Sequence, residues 1–409
     1  MVNKNSDVVI VSAVRTPFGR YGGSLQNIDY FDLGAIPMRE VVKRVKLDPK
    51  MVGFVYWGVG DTSVCKDVYT PVAARQTLIK AGMPHETGSI SFDMACCSGM
   101  HAVKLACMEM KAGEIDCAIA GGCTSFSREP LILRNLRFSG FRMGDVKMED
   151  PLFALGYKDF NPVSVDSDII AAQHGVDRAE QDEWSCRSHV KYGEAWKAGK
   201  FKEEILPITI PGEKGAEPKV LDVDESYRPT TTVEGLAKLK PIYNTKMITA
   251  GNAPGLNDGA TAILLMTRQK AQELGLKPLA TIVTNVHFAM NASRMPEAPG
   301  YGMLMAVKKA GLTMDDIKIM EINEAFSCVP LVSMRVIIGS DTDKVKLNQI
   351  KEKTNVNGSA IAIGHPNTAS GARIIMSLMY ELQRRGGGYA MGSLCGGLAQ
   401  SNTCIIKVD

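Results

Sequence analysis

One pattern occurs in each half of the chain and limits the folds open to it: a reactive side chain in a glycine-rich turn, a helix, then a strand running into paired glycines. Near the N-terminus the turn Asp93-Met94-Ala95-Cys96-Cys97-Ser98-Gly99 precedes good helix formers from Ser98 to Lys111, closed by Gly113. The strand Asp116 to Ala120 follows, with Gly121-Gly122 at its end. Near the C-terminus Gly364-His365-Pro366 precedes a helix from Ser370 to Arg385, stopped by Gly386-Gly387-Gly388. The strand Tyr389 to Leu394 then ends in Cys395-Gly396-Gly397. This repeated alternation predicts a duplicated α/β unit. The β-branched run from Asp7 to Ala13, ended by Arg15-Thr16-Pro17-Phe18-Gly19, reads as a buried first strand.

The segment between the two units has a different texture. From about residue 126 to residue 252 it carries basic loops (Arg128, Arg134, Arg137, Arg142), a charged helix from Arg178 to Lys197, and turns around Pro211 and Pro229. An insertion of this kind is suited to lie over the first unit and cover a substrate. Within it Glu180-Gln181-Asp182-Glu183 reads as a solvated helix face. At 409 residues the chain exceeds one ordinary core, and a hydrophobic fraction of 45% is ample for buried sheets. A net charge of +3, from 47 basic and 44 acidic residues, gives no excess to attract nucleic acid. No apolar run approaches membrane-spanning length, and ten cysteines with no leader ahead of Val8 predict a soluble, cytoplasmic protein with reduced thiols.

Most of those cysteines, Cys107, Cys117, Cys186 and Cys328 among them, lie in apolar segments and read as small buried hydrophobes. Cys96 differs because it falls at a helix N-terminus, where free N–H groups and the helix dipole would stabilise a thiolate. Cys97 is its neighbour, and position alone does not choose between them. His365 sits in a tight loop, which suits a structural histidine or one that removes a thiol proton near neutral pH. Cys395 precedes glycines that let backbone approach a ligand closely. No Cys-x-x-Cys pair and no histidine pair at ligand spacing occurs, so no metal site is expected. Two cysteines and a histidine so presented suggest acyl transfer.

The chain resembles the thiolases over essentially its whole length. Matching motifs, in the family's order, are Val11-Ser12-Ala13-Val14-Arg15-Thr16-Pro17-Phe18-Gly19, Cys96-Cys97-Ser98-Gly99-Met100, and Thr249-Ala250-Gly251-Asn252 with Gly255-Leu256-Asn257-Asp258-Gly259. They continue through Asn323-Glu324-Ala325-Phe326, Asn355-Val356-Asn357-Gly358, Gly364-His365-Pro366 with Ser370-Gly371-Ala372-Arg373, and Cys395-Gly396-Gly397. The resemblance implies a five-layer αβαβα fold of two five-stranded halves, residues 1–125 with 257–277 and residues 278–409, with a loop domain at 126–256 over the CoA site. It implies that Cys96 takes the acyl group, His365 holds and deprotonates its thiol, and Cys395 moves the proton of the carbon–carbon step. One oxyanion site would come from His365 with a water held by Asn323, the other from the backbone N–H groups of Cys96 and Gly397. CoA and acyl contacts would fall to Arg228, Ala250, Ala253, Pro254, Leu256, Val163, Ala325 and Phe326. CoA and acyl-CoA are then substrates, no separate cofactor is needed, and the assembly is a homotetramer or at least a homodimer.

The departures from the family pattern bear on the substrate. Pro254 stands where a serine commonly touches the pantetheine arm, Val163 where many members have methionine, and Pro162 where short-chain members often have histidine. Thr124 replaces a frequent acidic residue, and Asn367-Thr368 replace the usual apolar-glycine pair. These changes leave room for an acyl chain other than acetoacetyl. The stretch from Ser340 to Lys353 reads as a surface excursion. A ketoacyl-synthase-type condensing enzyme and a non-catalytic acyl-CoA-binding relative are the alternatives. The Cys-Gly-Gly setting of Cys395 argues against the first, and the intact set Cys96, Asn323, His365 and Cys395 argues against the second.

Overall fold

The computed structural model describes residues 7–60, 72–133, 136, 138, 141–153, 159–212 and 217–409; Arg134 and Arg137 of the expected basic loops lie outside them. The N-terminal half contributes strands β1 (Val8–Arg15), the short β2 (Gly19–Arg20), β3 (Phe54–Val59), β4 (Gly88–Phe92) and β5 (Cys117–Ser125). After an insertion holding the hairpin β6 (Ile208–Ile210) and β7 (Lys219–Leu221) comes β8 (Asn257–Thr267). The C-terminal half contributes β9 (Ala280–Ala289), β10 (Ile317–Ile322), β11 (Gly388–Gly396) and β12 (Gln400–Val408). The strands run β10-β11-β12-β9-β1-β8-β5-β3-β4, with β2 on β8. Antiparallel pairing of Val9 with Thr281 and Ile10 with Ala280 joins the two halves into one sheet.

Helices α1 (Tyr30–Arg44) and α2 (Ala73–Lys80) cover the outer face of the first half, and α8 (Ala298–Ala310) and α9 (Cys328–Ile338) that of the second. Between the halves lie α3 (Ser98–Ala112) and α12 (Asn367–Arg384), packed on each other and on strands from both sides. This gives the five layers expected. The insertion carries α4 (Val163–Gln173), α5 (Arg178–Lys197) and α6 (Val233–Ala237), while α7 (Arg268–Glu273) links the halves.

The duplication is visible strand for strand. In the first half β3 pairs in parallel with β4, which leads into Cys96 and α3. In the second, β10 is followed on the same side by the segment at Thr354, which leads into α11 (Ala360–Ile363), His365 and α12. Here the expectation of five strands is corrected: the fifth position is a single parallel bridge between Met320 and Thr354. Asn355 ends the ladder because it is left-handed, with φ 50°. Its side chain supplies the missing pairing, accepting from the Ile322 N–H at 2.8 Å and donating to the Ile322 carbonyl at 2.9 Å.

Two other expectations change and a third is refined. Gly121-Gly122 lies inside β5 and does not end it, because a Cβ at Gly121 would meet the Thr261 carbonyl oxygen at 2.0 Å and one at Gly122 the Thr368 carbonyl oxygen at 2.3 Å. The stretch Glu180 to Glu183 is not a solvated face: Gln181 and Asp182 are buried, and Asp182 accepts from Asn252 and Arg178. The excursion from Ser340 to Lys353 does lie at the surface as expected, but it is ordered there as α10 (Lys344–Glu352), with Ile350 buried.

Arg15, fully buried at the end of β1, ties the insertion to the core. Its Nε donates to Glu204 at 2.9 Å, and its two Nη groups donate to both oxygens of Asp224 at 2.6 and 2.9 Å. Such a bidentate, charge-assisted set tolerates burial because every charge is paired.

The two central helices touch backbone to backbone at their first turns. A Cβ at Gly99 would lie 2.4 Å from the Thr368 carbonyl oxygen, and one at Gly371 would lie 2.5 Å from the Met100 nitrogen. Gly371→Ala should therefore push α12 from α3, lowering stability by about 1–3 kcal/mol and slowing any reaction that needs Cys96 and His365 together. Thermal unfolding and an activity assay well below the transition check this. Unchanged stability and unchanged activity would show that the crossing is not tight.

Candidate active site

Cys96 lies in a 3-10 turn, Ala95–Cys97, that feeds α3. The preceding Ala95 is left-handed, with φ 47°. Local hydrogen bonds hold this strained turn: the Ala95 N–H donates to Asp93 at 2.7 Å, while Ser98 Oγ accepts from the Met94 N–H at 2.8 Å and donates to the Ala95 carbonyl at 2.7 Å. The turn presents the half-buried Cys96 to the cavity. Cys97 points the other way, buried, with its sulfur 3.5 Å from the Leu394 carbonyl oxygen.

His365 Nε2 stands 3.1 Å from Cys96 Sγ. On its other side Nδ1 is 2.7 Å from Ser370 Oγ, whose own proton goes to the Pro366 carbonyl at 3.1 Å. Ser370 must then accept from Nδ1–H, which leaves the Nε2 lone pair facing the thiol. The His365 N–H donates to Asn257 Oδ1 at 2.8 Å, and Asn257 is fixed in turn by the Gly19 carbonyl and Ser226. Asn323, fully buried at the end of β10, brings Nδ2 to 3.4 Å from His365 Nε2.

Cys395 closes β11 and is buried, and Gly397 opens the turn beyond it. Leu398 and Ala399 in that turn are both left-handed, with φ 55° and 58°, so the backbone bends sharply just past Gly397. One cavity of about 760 Å³ is bordered by Cys96, His365, Cys395 and Gly397. Arg228, Ala250, Ala253, Pro254, Leu256, Val163, Ala325 and Phe326 all line the same cavity; Asn323 lies behind its wall. Pro162 is the residue before α4 and does not border it.

Electrostatics correct one expectation. Burial pushes the Cys96 thiol up to about 12, against the smaller opposing effect of a backbone N–H, and Asp93 adds to the rise. Burial, with the charge of Arg373, holds His365 down to about 3. Burial likewise raises Cys395 well above its ordinary value, helped by Cys96. Both shifts favour the neutral thiol and the neutral imidazole, against the expected helix-stabilised thiolate.

Three residues of this arrangement were not singled out by sequence reasoning. Ser370 was visible only as a motif member five positions after His365. Asn257 supports His365 from the far side of the insertion, which no spacing reveals. Glu324 stands beside Asn323 and is fully buried. No group of three or more metal-binding side chains occurs among the described residues, and no described helix is long and apolar enough to cross a membrane.

Two family models match this chain: "Thiolase, N-terminal domain" over residues 8–269 and "Thiolase, C-terminal domain" over residues 276–408. The acetyl-CoA acetyltransferase of Syntrophomonas wolfei is 38% identical over 408 residues, covering 98% of this chain and 99% of its own. That of Chromobacterium violaceum is 40% identical over 398 residues, covering 95% and 96%. Among solved structures, human mitochondrial 3-ketoacyl-CoA thiolase superposes with a TM-score of 0.92 at 34% identity, covering 100% of both chains. Its complex with CoA gives a TM-score of 0.90, covering 98% of both.

Because Cys96 faces the cavity beside a base and Cys97 is sealed against Leu394, brief alkylation at neutral pH should modify Cys96 first and stop activity. Prior loading with an acyl-CoA should protect it. Peptide mapping that found Cys97 modified first, with Cys96 free and activity gone, would reverse the assignment.

Proposed function

The chain belongs to the thiolase family and is a CoA-dependent acyltransferase; from that premise we propose that Cys96, His365 and Cys395 divide its chemistry as follows. In cleavage, the Cys96 proton passes to His365 Nε2 as the sulfur attacks the 3-keto carbon of a 3-ketoacyl-CoA. The C2–C3 bond then breaks, its electron pair stays on C2 as the acetyl-CoA enolate, and Cys395 S–H gives that carbon a proton. The imidazolium proton restores Cys395. The thiol of a second CoA next attacks the Cys96 thioester, with His365 taking and returning one proton, and acyl-CoA leaves. Condensation runs the same steps in reverse.

The observation that carries this reading is the 3.1 Å contact between His365 Nε2 and Cys96 Sγ at a cavity that Cys395 also borders. The Cys96 and Gly397 N–H groups are assigned to one developing oxyanion, and His365 with a water held by Asn323 to the other, the enolate oxygen. Neutral resting groups suit these roles, since His365 begins as an acceptor and Cys395 begins with a proton to give. Residues 126–256 are read as the domain covering CoA, with Arg228, Ala250, Ala253, Pro254 and Leu256 along the pantetheine arm. Val163, Ala325 and Phe326 are read as walls of the acyl end. We further propose a homodimer or homotetramer, supported by β4, which has no partner on its outer side among the described residues and holds Ile90 44% exposed. A reduced, cytoplasmic setting fits the nine described cysteines, all free.

If Cys395 acts only in the carbon–carbon step, Cys395→Ala should still accept an acetyl group on Cys96 from acetyl-CoA while condensation and cleavage collapse. Intact-protein mass spectrometry decides it. A folded variant that fails to acylate would give Cys395 a part in the first half-reaction.

The preferred 3-ketoacyl-CoA is proposed to be something other than acetoacetyl-CoA. Pro254 and Val163 both border the cavity, and neither side chain can hydrogen-bond. One hydrogen bond lost at the arm costs about 0.5–1.5 kcal/mol, so size and shape at the acyl end should dominate selection. Comparing kcat/KM for thiolytic cleavage of straight, branched and aromatic esters tests this; a clear optimum at acetoacetyl-CoA would overturn it.

A further inference from the structure

Glu324 follows Asn323 directly and is fully buried. Its Oε1 accepts from Trp184 Nε1 at 2.8 Å and from Asn355 Nδ2 at 3.0 Å. Its Oε2 accepts from Ser188 Oγ at 2.7 Å and from the Ile361 N–H at 3.0 Å. Two donors on each oxygen match the lone pairs of a carboxylate and oppose the burial that raises its pKa.

The four donors come from three parts of the site. Trp184 and Ser188 stand one turn apart on α5 of the insertion, and Ser188 also accepts from the Ser359 N–H at 3.2 Å. Asn355 clasps both backbone groups of Ile322, the residue before Asn323. Ile361 lies in α11, the short helix that ends at Gly364 and delivers His365. Glu324 thus joins the insertion, the end of β10 and the approach to His365 at one point.

We propose that Glu324 is a positioning residue that fixes the Asn323 amide, which holds the water at the enolate oxygen, and that the insertion acts on the carbon–carbon step through Trp184 and Ser188. Asn323 depends on it more than His365 does. His365 has its own holds in Ser370 and Asn257, whereas the only hydrogen bond the Asn323 side chain makes among the described residues is the long contact to His365, and its Oδ1 has no partner among them.

Glu324→Gln keeps the shape but turns an NH2 group on two of the four donors. Asn355 and Trp184 are fixed, while the Ser188 hydroxyl can rotate to accept, so the amide nitrogen settles toward Ser188 and Ile361. The Ile361 N–H then loses its acceptor, and with it goes the bond that ties α11 to the residue after Asn323.

The inference rests on the assignment of Asn323 and His365 to the enolate oxygen, and two readouts separate them. One is the rate of Cys96 acetylation by acetyl-CoA, followed by quenched intact-mass analysis. The other is deuterium uptake into the acetyl-CoA methyl group in D2O, which reports enolate formation alone. Glu324→Gln, with thermal stability measured alongside, should acetylate within about twofold of the parent yet exchange about ten- to a hundredfold more slowly, less than the loss of an oxyanion donor itself costs. Asn323→Ala should lose exchange more completely. Ser188→Ala, a milder change, should shift the two rates in the same unequal way if Glu324→Gln fails to fold. Exchange at the parental rate in folded Glu324→Gln, or an equal fall in both rates, overturns the inference while leaving the Asn323 assignment intact. Parental exchange in Asn323→Ala would overturn the assignment beneath it.

Discussion

The active centre depends on how closely two buried helices can cross. Cys96 and His365 are separated by most of the chain, and each stands just ahead of a central helix in its own half. They reach hydrogen-bond distance because Gly99 and Gly371 let the first turns of α3 and α12 meet backbone to backbone. The Thr124–Thr368 pair tightens the same region: the Thr368 N–H donates to Thr124 Oγ1 at 3.1 Å, and Thr368 Oγ1 donates to the Cys123 carbonyl at 2.6 Å. Two departures from the family pattern therefore satisfy each other. A duplicated unit supplies like ends to face each other, and glycine at the contact turns that symmetry into a working distance.

That crossing also sets the electrostatics. Helix ends enclosed between the two halves of the sheet have little water to stabilise a thiolate or an imidazolium, and burial outweighs the backbone N–H at Cys96. Both charged forms are thereby disfavoured. On the mechanism proposed above, the proton leaves sulfur as the carbon–sulfur bond forms, when negative charge moves onto an oxygen. The left-handed residues Ala95, Leu398 and Ala399 bend the backbone beside Cys96 and Gly397.

Much of this was legible in the sequence. The two turn-helix-strand units, the boundaries of the Arg178–Lys197 helix, and the grouping of Cys96, His365, Cys395 and Gly397 at one cavity all follow from local patterns or ordered motifs. What was missed depends on neighbours distant in the chain. Gly121 and Gly122 look like a strand end, yet they are small because Thr261 and Thr368 press on them. Asn355 looks like a turn residue, yet its side chain replaces a strand's ladder bonds. A helix-terminal cysteine suggests a thiolate only until the depth of its burial is known.

The buried polar face of α5 is the most instructive of these cases. Charge pattern cannot distinguish a face that meets water from one that meets loop carbonyls and amides, because both need hydrogen-bonding side chains. Ser185 with Ser327 at 2.6 Å, and Trp184 and Ser188 with Glu324, make this seam polar. An apolar seam of equal area would bind the insertion but let it slide, since dispersion and burial are insensitive to small shifts. Hydrogen bonds to a buried carboxylate are not, as a donor moved out of reach leaves charge unpaired. The polar seam fixes the register of the insertion on the core, and with it the wall of the cavity relative to Cys96 and Cys395.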